Sequence, residues 1–134
     1  MEPKKIVARY ADGRIIKGYT QNFFPSKPAF HIRPIEPKDW EQNVEIKIQE
    51  LKGIFFVRDF IGNSNYQEQK AFPYGMNALG RKIEVTFKDG EVLVGSTLSY
   101  QNNKSGFFLT PSDPLWNTKG VFVVTQAVSV VRFI

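Results

Sequence analysis

The sequence contains no cysteine and only one histidine, His31, in 134 residues. The absence of cysteine excludes disulfides, thiolate metal ligands and a cysteine nucleophile, and it suits a reducing compartment. A zinc site or catalytic triad that needs histidine would depend on His31 alone. We therefore expect a cytoplasmic protein that is not an enzyme and that has no metal, cofactor or catalytic residues.

Long apolar runs are missing as well. The N-terminal sequence "MEPKKIVARY" lacks the apolar core of a signal peptide. No stretch approaches the roughly 20 apolar residues of a membrane-spanning helix. The glycine motifs that cradle nucleotide phosphates, G-x-x-x-x-G-K-S/T and G-x-G-x-x-G, are also absent. The sequence thus predicts a protein that is neither exported nor embedded in a membrane and that has no phosphate loop.

The sequence has an excess of positive charge, but its basic residues are not clustered in one segment. Lysine and arginine number 18 against 13 acidic residues, which gives a net charge of +5. Residues 1–60 contain 11 basic and 8 acidic side chains, and residues 81–134 contain 6 and 4. A basic protein of this kind suits a polyanionic partner, although an even spread is also typical of an ordinary solvated surface.

The sequence contains a long internal repeat. "YADGRIIKG" at 10–18 returns as "FKDGEVLVG" at 87–95, an offset of 77 residues (89 − 12). The match extends without a gap over about 5–57 and 82–134, so repeated units organise the chain. We predict a first domain at 1–60, a linker at 61–80 and a second domain at 81–134.

Each repeated unit has the pattern of short β-strands, with apolar residues at every second position and turn residues between the strands. The Asp-Gly pairs at 12–13 and 89–90 predict type I′ hairpin turns, which assigns Asp12 and Asp89 to turns and not to a catalytic carboxylate pair. Gly18 and Gly95 fall inside the second strands, where glycine is typical of a sharp bend or a close backbone approach. The sequence predicts an all-β protein of two small five-stranded barrels.

Two resemblances support this prediction. "VTFKDGEVLVG" resembles the first half of the Sm-fold signature, and it implies Sm-like or SH3-like barrels. "LKGIFFVRDF", "GRKIEVTFKDGEVLVGSTLSYQ" and "GFFLTPSDP" resemble, in this order, phrases of a bacterial protein family of unknown function. The second resemblance covers nearly the whole chain and implies tandem barrels, but it implies no activity.

The closing strands of both units are apolar on both faces, which means that both faces are covered. The two barrels either pack on each other through these strands, or a second copy or protein partner docks there, for example by adding a strand to an open edge. We therefore expect a binding or adaptor module that recognises protein. The candidate interface residues are Phe55, Val57, Phe60, Phe122, Val124 and Ile134.

The alternative function is binding of single-stranded RNA or DNA, since aromatic side chains stack on bases and basic side chains neutralise phosphates. Loop residues of both types occur in both units, and each of two proline-bearing loops contains a tryptophan. These aromatic residues could equally anchor the loops or close the barrel ends. The candidate loop surface consists of Phe23, Phe24, Lys27, Arg33, Tyr100, Lys104, Trp40 and Trp116.

The linker contains apolar residues that a simple spacer would not need, among them Tyr66, Phe72 and Leu79. We expect its later part to pack across a barrel and its earlier part, "GNSNYQEQ", to be mobile.

Overall fold

A computed structural model describes residues 2–35, 43–101 and 104–134. Nearly all of its regular structure is β-strand. Single 3₁₀ turns at Ile48–Glu50 and Thr125–Ala127 precede the last strand of each half. In chain order the strands are β1 (Lys4–Tyr10), β2 (Ile15–Thr20), β3 (Ala29–Pro34), β4 (Val44–Lys47), β5 (Leu51–Val57), β6 (Arg81–Phe87), β7 (Val92–Thr97), β8 (Gly106–Pro111), β9 (Thr118–Val124) and β10 (Val128–Phe133).

The strands form one open antiparallel sheet with the order β10-β6-β7-β8-β9-β5-β1-β2-β3-β4. The predicted all-β class is confirmed, whereas the prediction of two closed five-stranded barrels is wrong. In a closed barrel the fifth strand of each half would return to the fourth strand of the same half. Here β5 pairs instead with β9 from the other half, and β4 and β10 lie at the two edges of the sheet.

The two halves repeat the same elements at the same spacing. β1 begins at Lys4 and β6 begins at Arg81, and β5 begins at Leu51 and β10 at Val128, each pair 77 residues apart (81 − 4 and 128 − 51). In both halves the strand order is fifth, first, second, third, fourth. We use the word counterpart for two residues that are 77 positions apart.

Two hydrophobic cores lie on opposite faces of the β5·β9 pair. In this pair Ile54 lies opposite Phe122, and Phe55 lies opposite Val121. Ile54 and Phe122 belong to the core of the first half, and Phe55 and Val121 belong to the core of the second half. The two strands are apolar on both faces because each core needs side chains from both halves.

The Asp-Gly turns differ from the predicted type. Gly13 and Gly90 have φ values of 98° and 94°, in the left-handed region that glycine adopts without strain. However, the N–H of Tyr10 donates to Arg14 O and the N–H of Gly13 donates to Tyr10 O, so the loop has three residues and not two. Such a loop ends in a left-handed residue, as is typical of three-residue hairpins.

Gly18 and Gly95 lie where neighbouring strands come close, as the sequence predicts. A Cβ atom at Gly18 would lie 2.3 Å from the backbone oxygen of Arg33, and one at Gly95 would lie 2.1 Å from that of Thr110. Only a residue without a side chain allows this approach.

The linker has no helix or strand and is attached to the second half. The hydroxyl of Tyr66 and the N–H of Gln69 donate to the carboxylate of Asp113, although both residues lie in the part predicted to be mobile. Further along, Lys70 Nζ donates to Val92 O at 2.7 Å, and Lys82 Nζ lies 4.8 Å from the centre of the Phe72 ring. The later part therefore packs across β6 and β7.

Candidate functional site

The candidate interface residues divide into two groups. Phe55, Val57, Phe122 and Val124 are all at most 5% exposed, because they fill the two cores where the halves meet. Phe60 is partly buried against the core of the second half, and Ile134 is 58% exposed just after β10. In this fold the buried four join one half to the other, so of these six candidates only Ile134, just after β10, is exposed to a partner.

The candidate loop residues do not form one surface. Phe23 and Tyr100 are partly buried against the first and second cores, and Trp116 is partly buried against the second. Phe24 is exposed with Lys27 Nζ 5.8 Å from its ring centre. Lys104 lines a cavity of about 410 Å³ together with Lys27, whereas Arg33 lies apart and stacks over Tyr19. Trp40 lies outside the described residues.

Aromatic rings meet where β9 joins the first half, and we call this group the seam cluster (Phe23, Phe30, Phe56, Phe122). The ring of Phe23 lies 5.2 Å from that of Phe30 and 5.2 Å from that of Phe122, in edge-to-face orientations. Such contacts stabilise a core beyond the burial of apolar area. Three of these four rings belong to the first half, and β9 of the second half supplies the fourth. Phe108 on β8 also contacts the cluster from the second half, with its ring centre 6.4 Å from that of Phe56 and 5.1 Å from that of Phe122.

The same three rings recur in the second half, and we call them the edge cluster (Tyr100, Phe107, Phe133). They are the counterparts of Phe23, Phe30 and Phe56. Tyr100 lies 4.9 Å from Phe107 and 5.4 Å from Phe133. Among the described strands none lies beyond β10, so no fourth ring is supplied and Phe133 is 42% exposed. A cation covers the third ring in both halves: Lys4 lies over Phe56 at 5.8 Å, and Arg81 over Phe133 at 3.6 Å.

The backbone of β10 is available along one side. The N–H of Ile134 donates to Lys82 O at 3.1 Å, on the side of β6. Because N–H groups alternate between the two sides of an antiparallel strand, those of Val131 and Phe133 point to the open edge. An open edge of this kind is a template for a further strand.

The opposite face of β10 is charged. Arg132 Nη2 lies 2.9 Å from Glu84 Oε1, and both side chains reach solvent. Their counterparts, Phe55 and Val7, are apolar and buried in the second core. One face of β10 therefore lies beside the rings of the edge cluster, and the opposite face carries an exposed ion pair.

The other edge of the sheet, β4, has a different character. Its counterparts in β9 are Val121 to Val124. Glu45 and Lys47, both exposed, occupy the positions of Phe122 and Val124. Charged residues on an edge strand discourage pairing with another chain.

A basic groove of about 540 Å³ lies between the outer face of the first half and the loop before β9. Arg9, Lys17 and Arg58 line it together with Phe60, Trp116 and one acidic residue, Asp59. Lys17 Nζ donates to Phe60 O at 2.9 Å and Arg58 Nη2 donates to Pro114 O at 3.1 Å. None of the three forms an ion pair with a carboxylate of the described residues, so their charges are available to an anion.

Our sequence reasoning did not identify this groove, although a signal for it exists. Lys5 and Arg9 on β1 and Lys17 on β2 alternate with core residues, which places them together on the outer face of the first half. Their counterparts include Thr86 and Val94, so the second half has no such face.

The Asp-Gly turns are satisfied within the fold. Asp12 Oδ1 accepts a hydrogen bond from Arg14 N, and Asp89 Oδ1 accepts one from Glu91 N, both at 3.0 Å. This confirms their assignment to turns. Asp89 also accepts a bond of 2.8 Å from Lys52 Nζ, which lowers the pKa of the Asp89 carboxyl, and Lys52 contacts Glu91 as well. Lys52 thereby ties the first half to the hairpin of the second.

The described residues contain no group of three or more potential metal-ligating His, Cys, Asp or Glu side chains. None of the described helices has the length and apolar character needed to cross a membrane.

Fold and site together define an all-β protein with one long open sheet and one accessible aromatic edge. The chain belongs to a family of unknown function, DUF6982, whose model matches residues 2–134. No curated protein and no solved structure matches the chain significantly.

Proposed function

We propose that the chain is a non-enzymatic cytoplasmic binding module that takes up an extended segment of a protein partner along β10. The observation that carries this proposal is the contrast between β5 and β10. The two are counterparts, yet β5 is covered by β9 whereas β10 is an open edge that carries Phe133, whose side chain is 42% exposed.

Strand addition to a sheet edge is a common mode of peptide recognition. Backbone hydrogen bonds supply affinity, and alternate side chains of the peptide enter pockets that supply specificity. The edge of β10 offers both elements, since the N–H groups of Val131 and Phe133 point outward and the edge cluster lies beside them.

The first test uses a labelled peptide of residues 117–126, "NTKGVFVVTQ", which contains the strand that covers β5 within the chain. We expect it to bind the full-length protein and to slow hydrogen exchange at Val131 and Phe133. Val131→Pro removes an outward N–H without affecting the bonds to β6, and it should abolish binding. Val131→Ala shortens the same side chain but keeps the N–H, and it should retain binding. Equal loss in both variants, or no binding to the wild type, would contradict the proposal.

A second candidate function, binding of single-stranded nucleic acid, is favoured by the basic groove. Arg9, Lys17 and Arg58 have no carboxylate partner among the described residues, and Trp116 offers a surface for base stacking. Of the predicted loop surface only Trp116 lines this groove, where it is also partly buried against the second core.

The groove is tested with labelled oligo(dT) and oligo(rU). Affinity should fall steeply with added salt, because phosphate contacts release counterions. A double variant, Arg9→Ala with Lys17→Ala, should weaken binding and flatten the salt dependence, whereas Lys119→Ala on the exposed side of β9 should do neither. Absence of binding at low salt removes this candidate and leaves the β10 proposal unaffected.

A further inference from the structure

We infer that the segment that binds along β10 has an aromatic residue opposite Val131, a small residue opposite Phe133 and an apolar residue two positions after the aromatic. This inference specifies the partner and rests on the proposed function.

The template for the partner is β9, seated on β5. In that pair Phe122 lies opposite Ile54, and Gly120 lies opposite Phe56. Val124 follows Phe122 by two positions and is 1% exposed in the same core. Val131 and Phe133 are the counterparts of Ile54 and Phe56, so the same register transfers to β10.

The aromatic position is set by what Phe122 does in the seam cluster. Phe122 is 1% exposed, with ring centres 5.2 Å from Phe23 and 5.1 Å from Phe108. The edge cluster has the counterparts of the other three rings of the seam cluster. A ring placed opposite Val131 would reach Tyr100, as Phe122 reaches Phe23, and it would add to the edge cluster the ring that β9 supplies to the seam cluster.

The small residue follows from the cation over the third ring. In the seam the residue opposite Phe56 is Gly120, where an added Cβ atom would meet nothing within 4 Å, so the template accepts a small side chain at this position. A bulky residue opposite Phe133 would compete with Arg81, whose guanidinium already lies 3.6 Å from the ring centre.

A second copy of this chain does not meet these requirements. Its free edge with the matching sequence is β4, where Glu45 occupies the position of Phe122 and Lys47 that of Val124. Pairing of β4 with β10 would place a carboxylate against the edge cluster, and a buried charge without a partner is costly.

The opposite face of β10 also favours a single extended strand as the partner over a complete further half with its own core. The core of the second half rests on Val7 and Phe55, but their counterparts are Glu84 and Arg132, which form an exposed ion pair. The partner residue just before the aromatic would lie opposite Arg132, as Val121 lies opposite Phe55. An acidic or polar residue suits that position.

Val130 affects the spacing of the pairing at one point. Its counterpart is Gly53, where a Cβ atom would lie 3.0 Å from Phe122 O. Because Val130 has a side chain, we expect the added strand to lie a few tenths of an ångström further from β10 at this point than β9 lies from β5.

The experiment compares variants of the 117–126 peptide on the full-length protein by fluorescence anisotropy. Phe122→Tyr in the peptide should preserve binding, Phe122→Ala should weaken it about 30-fold, as expected for a buried aromatic anchor, and Phe122→Glu should abolish it. In the protein, Tyr100→Ala should remove the preference for an aromatic peptide, because Tyr100 is the counterpart of the ring that Phe122 contacts. Phe23→Ala, the matching change in the seam cluster, should reduce stability but leave the preference unchanged.

The outcomes separate the two proposals. If all peptides bind equally and Val131→Pro still abolishes binding, strand addition stands and the aromatic requirement is wrong. If a peptide of residues 43–50, which contains β4, binds as tightly as the β9 peptide, the edge serves self-association and the inference is also wrong. If no peptide binds or protects Val131 and Phe133, the proposed function itself fails.

Discussion

Lys52 shows at the residue scale how a charge can join two halves. Its side chain is largely buried, its ammonium lies 4.7 Å from the centre of the Phe87 ring, and it contacts Asp89 and Glu91 at the rim of the second half. Its counterpart, Ser129, has no charge with which to make such contacts. This tie is therefore specific to the junction.

We expect Lys52→Met to lower the free energy of unfolding by about 1 kcal/mol at pH 7, as for a partly exposed ion pair whose apolar stem is kept. Lys52 lowers the pKa of Asp89 in the folded protein. The stability that the Lys52–Asp89 pair contributes is therefore fully present above about pH 3.9, the pKa of Asp89 in the unfolded chain. It is lost as the pH falls from there through the lower pKa that Asp89 has in the folded protein. Urea unfolding from pH 7 to pH 3 should show the variant and the wild type converging. Lys88→Met, at an exposed neighbouring position, should cost little at any pH, and a constant difference for Lys52→Met would contradict this account.

Gly95 is the residue at which a single methyl group should cost most. An added Cβ would lie 2.1 Å from the backbone oxygen of Thr110, so β7 and β8 would have to separate. We expect Gly95→Ala to destabilise the protein by more than about 3 kcal/mol, measured by thermal unfolding. Gly120→Ala is the control, since a Cβ there meets nothing within 4 Å. Comparable losses for the two variants would show that strand entropy, and not close approach, determines the effect.

At the scale of elements, Asp113 holds the linker on the second half. Its carboxylate is buried and accepts bonds from Tyr66 and Gln69 of the linker and from Leu115 of its own loop. Burial alone would raise the pKa of Asp113, but these hydrogen bonds together lower it. The bond to Asp113 in turn raises the pKa of Tyr66.

Asp113→Asn removes the acceptor for Tyr66 and Gln69 while keeping the size of the side chain. We expect a loss of about 1–3 kcal/mol, faster hydrogen exchange at Gln69, and a Tyr66 pKa that falls back toward 10 in an ultraviolet titration. Asp59→Asn does not touch Tyr66 and should leave its titration unchanged. An unaltered Tyr66 titration in Asp113→Asn would mean that the linker is not held by this carboxylate.

The two edge strands of the sheet differ in the side chains that they expose. β4 presents Glu45 and Lys47 where β9 has Phe122 and Val124, whereas β10 keeps exposed Val130 and Phe133. A six-residue edge with apolar side chains is an aggregation hazard unless it has a partner. This asymmetry is the reason that we place the partner at β10.

At the scale of the whole molecule, the halves join as a head-to-tail pair, with β9 of one half on β5 of the other. Such an interface is heterologous, so it would continue indefinitely if the free edges matched the joined ones. Here the free edges do not match the joined ones, since β4 exposes Glu45 and Lys47 and the Glu84–Arg132 ion pair lies beside β10.

The charges on β4 predict that copies of the chain assemble once those charges are replaced by apolar side chains. Glu45→Phe combined with Lys47→Val gives β4 the two side chains with which β9 covers β5. We expect the double variant to form concentration-dependent oligomers in analytical ultracentrifugation, by pairing of β4 with β10 of the next copy. Adding Val131→Pro should return the monomer, and adding Val131→Ala should not. Oligomers that survive Val131→Pro would indicate nonspecific aggregation of the new apolar side chains.

Much of this protein follows from its sequence. The alternating pattern, the Asp-Gly turns, Gly18 and Gly95 predict the strands of each half with their order in the chain, because these signals depend on neighbours within a few residues. The apolar character of Phe55 and Phe122 on the second face of their strands also predicts that both faces are covered.

Only the tertiary structure decided which strand covers them. A strand that is apolar on both faces can close its own barrel, join the other half or meet another chain, and its local sequence is the same in each case. The structure joins β5 to β9 and thereby leaves β10 open, and it brings Arg9, Lys17 and Arg58 from three separate segments into one groove. Pairing between distant strands depends on the packing of both halves at once, which no local pattern contains.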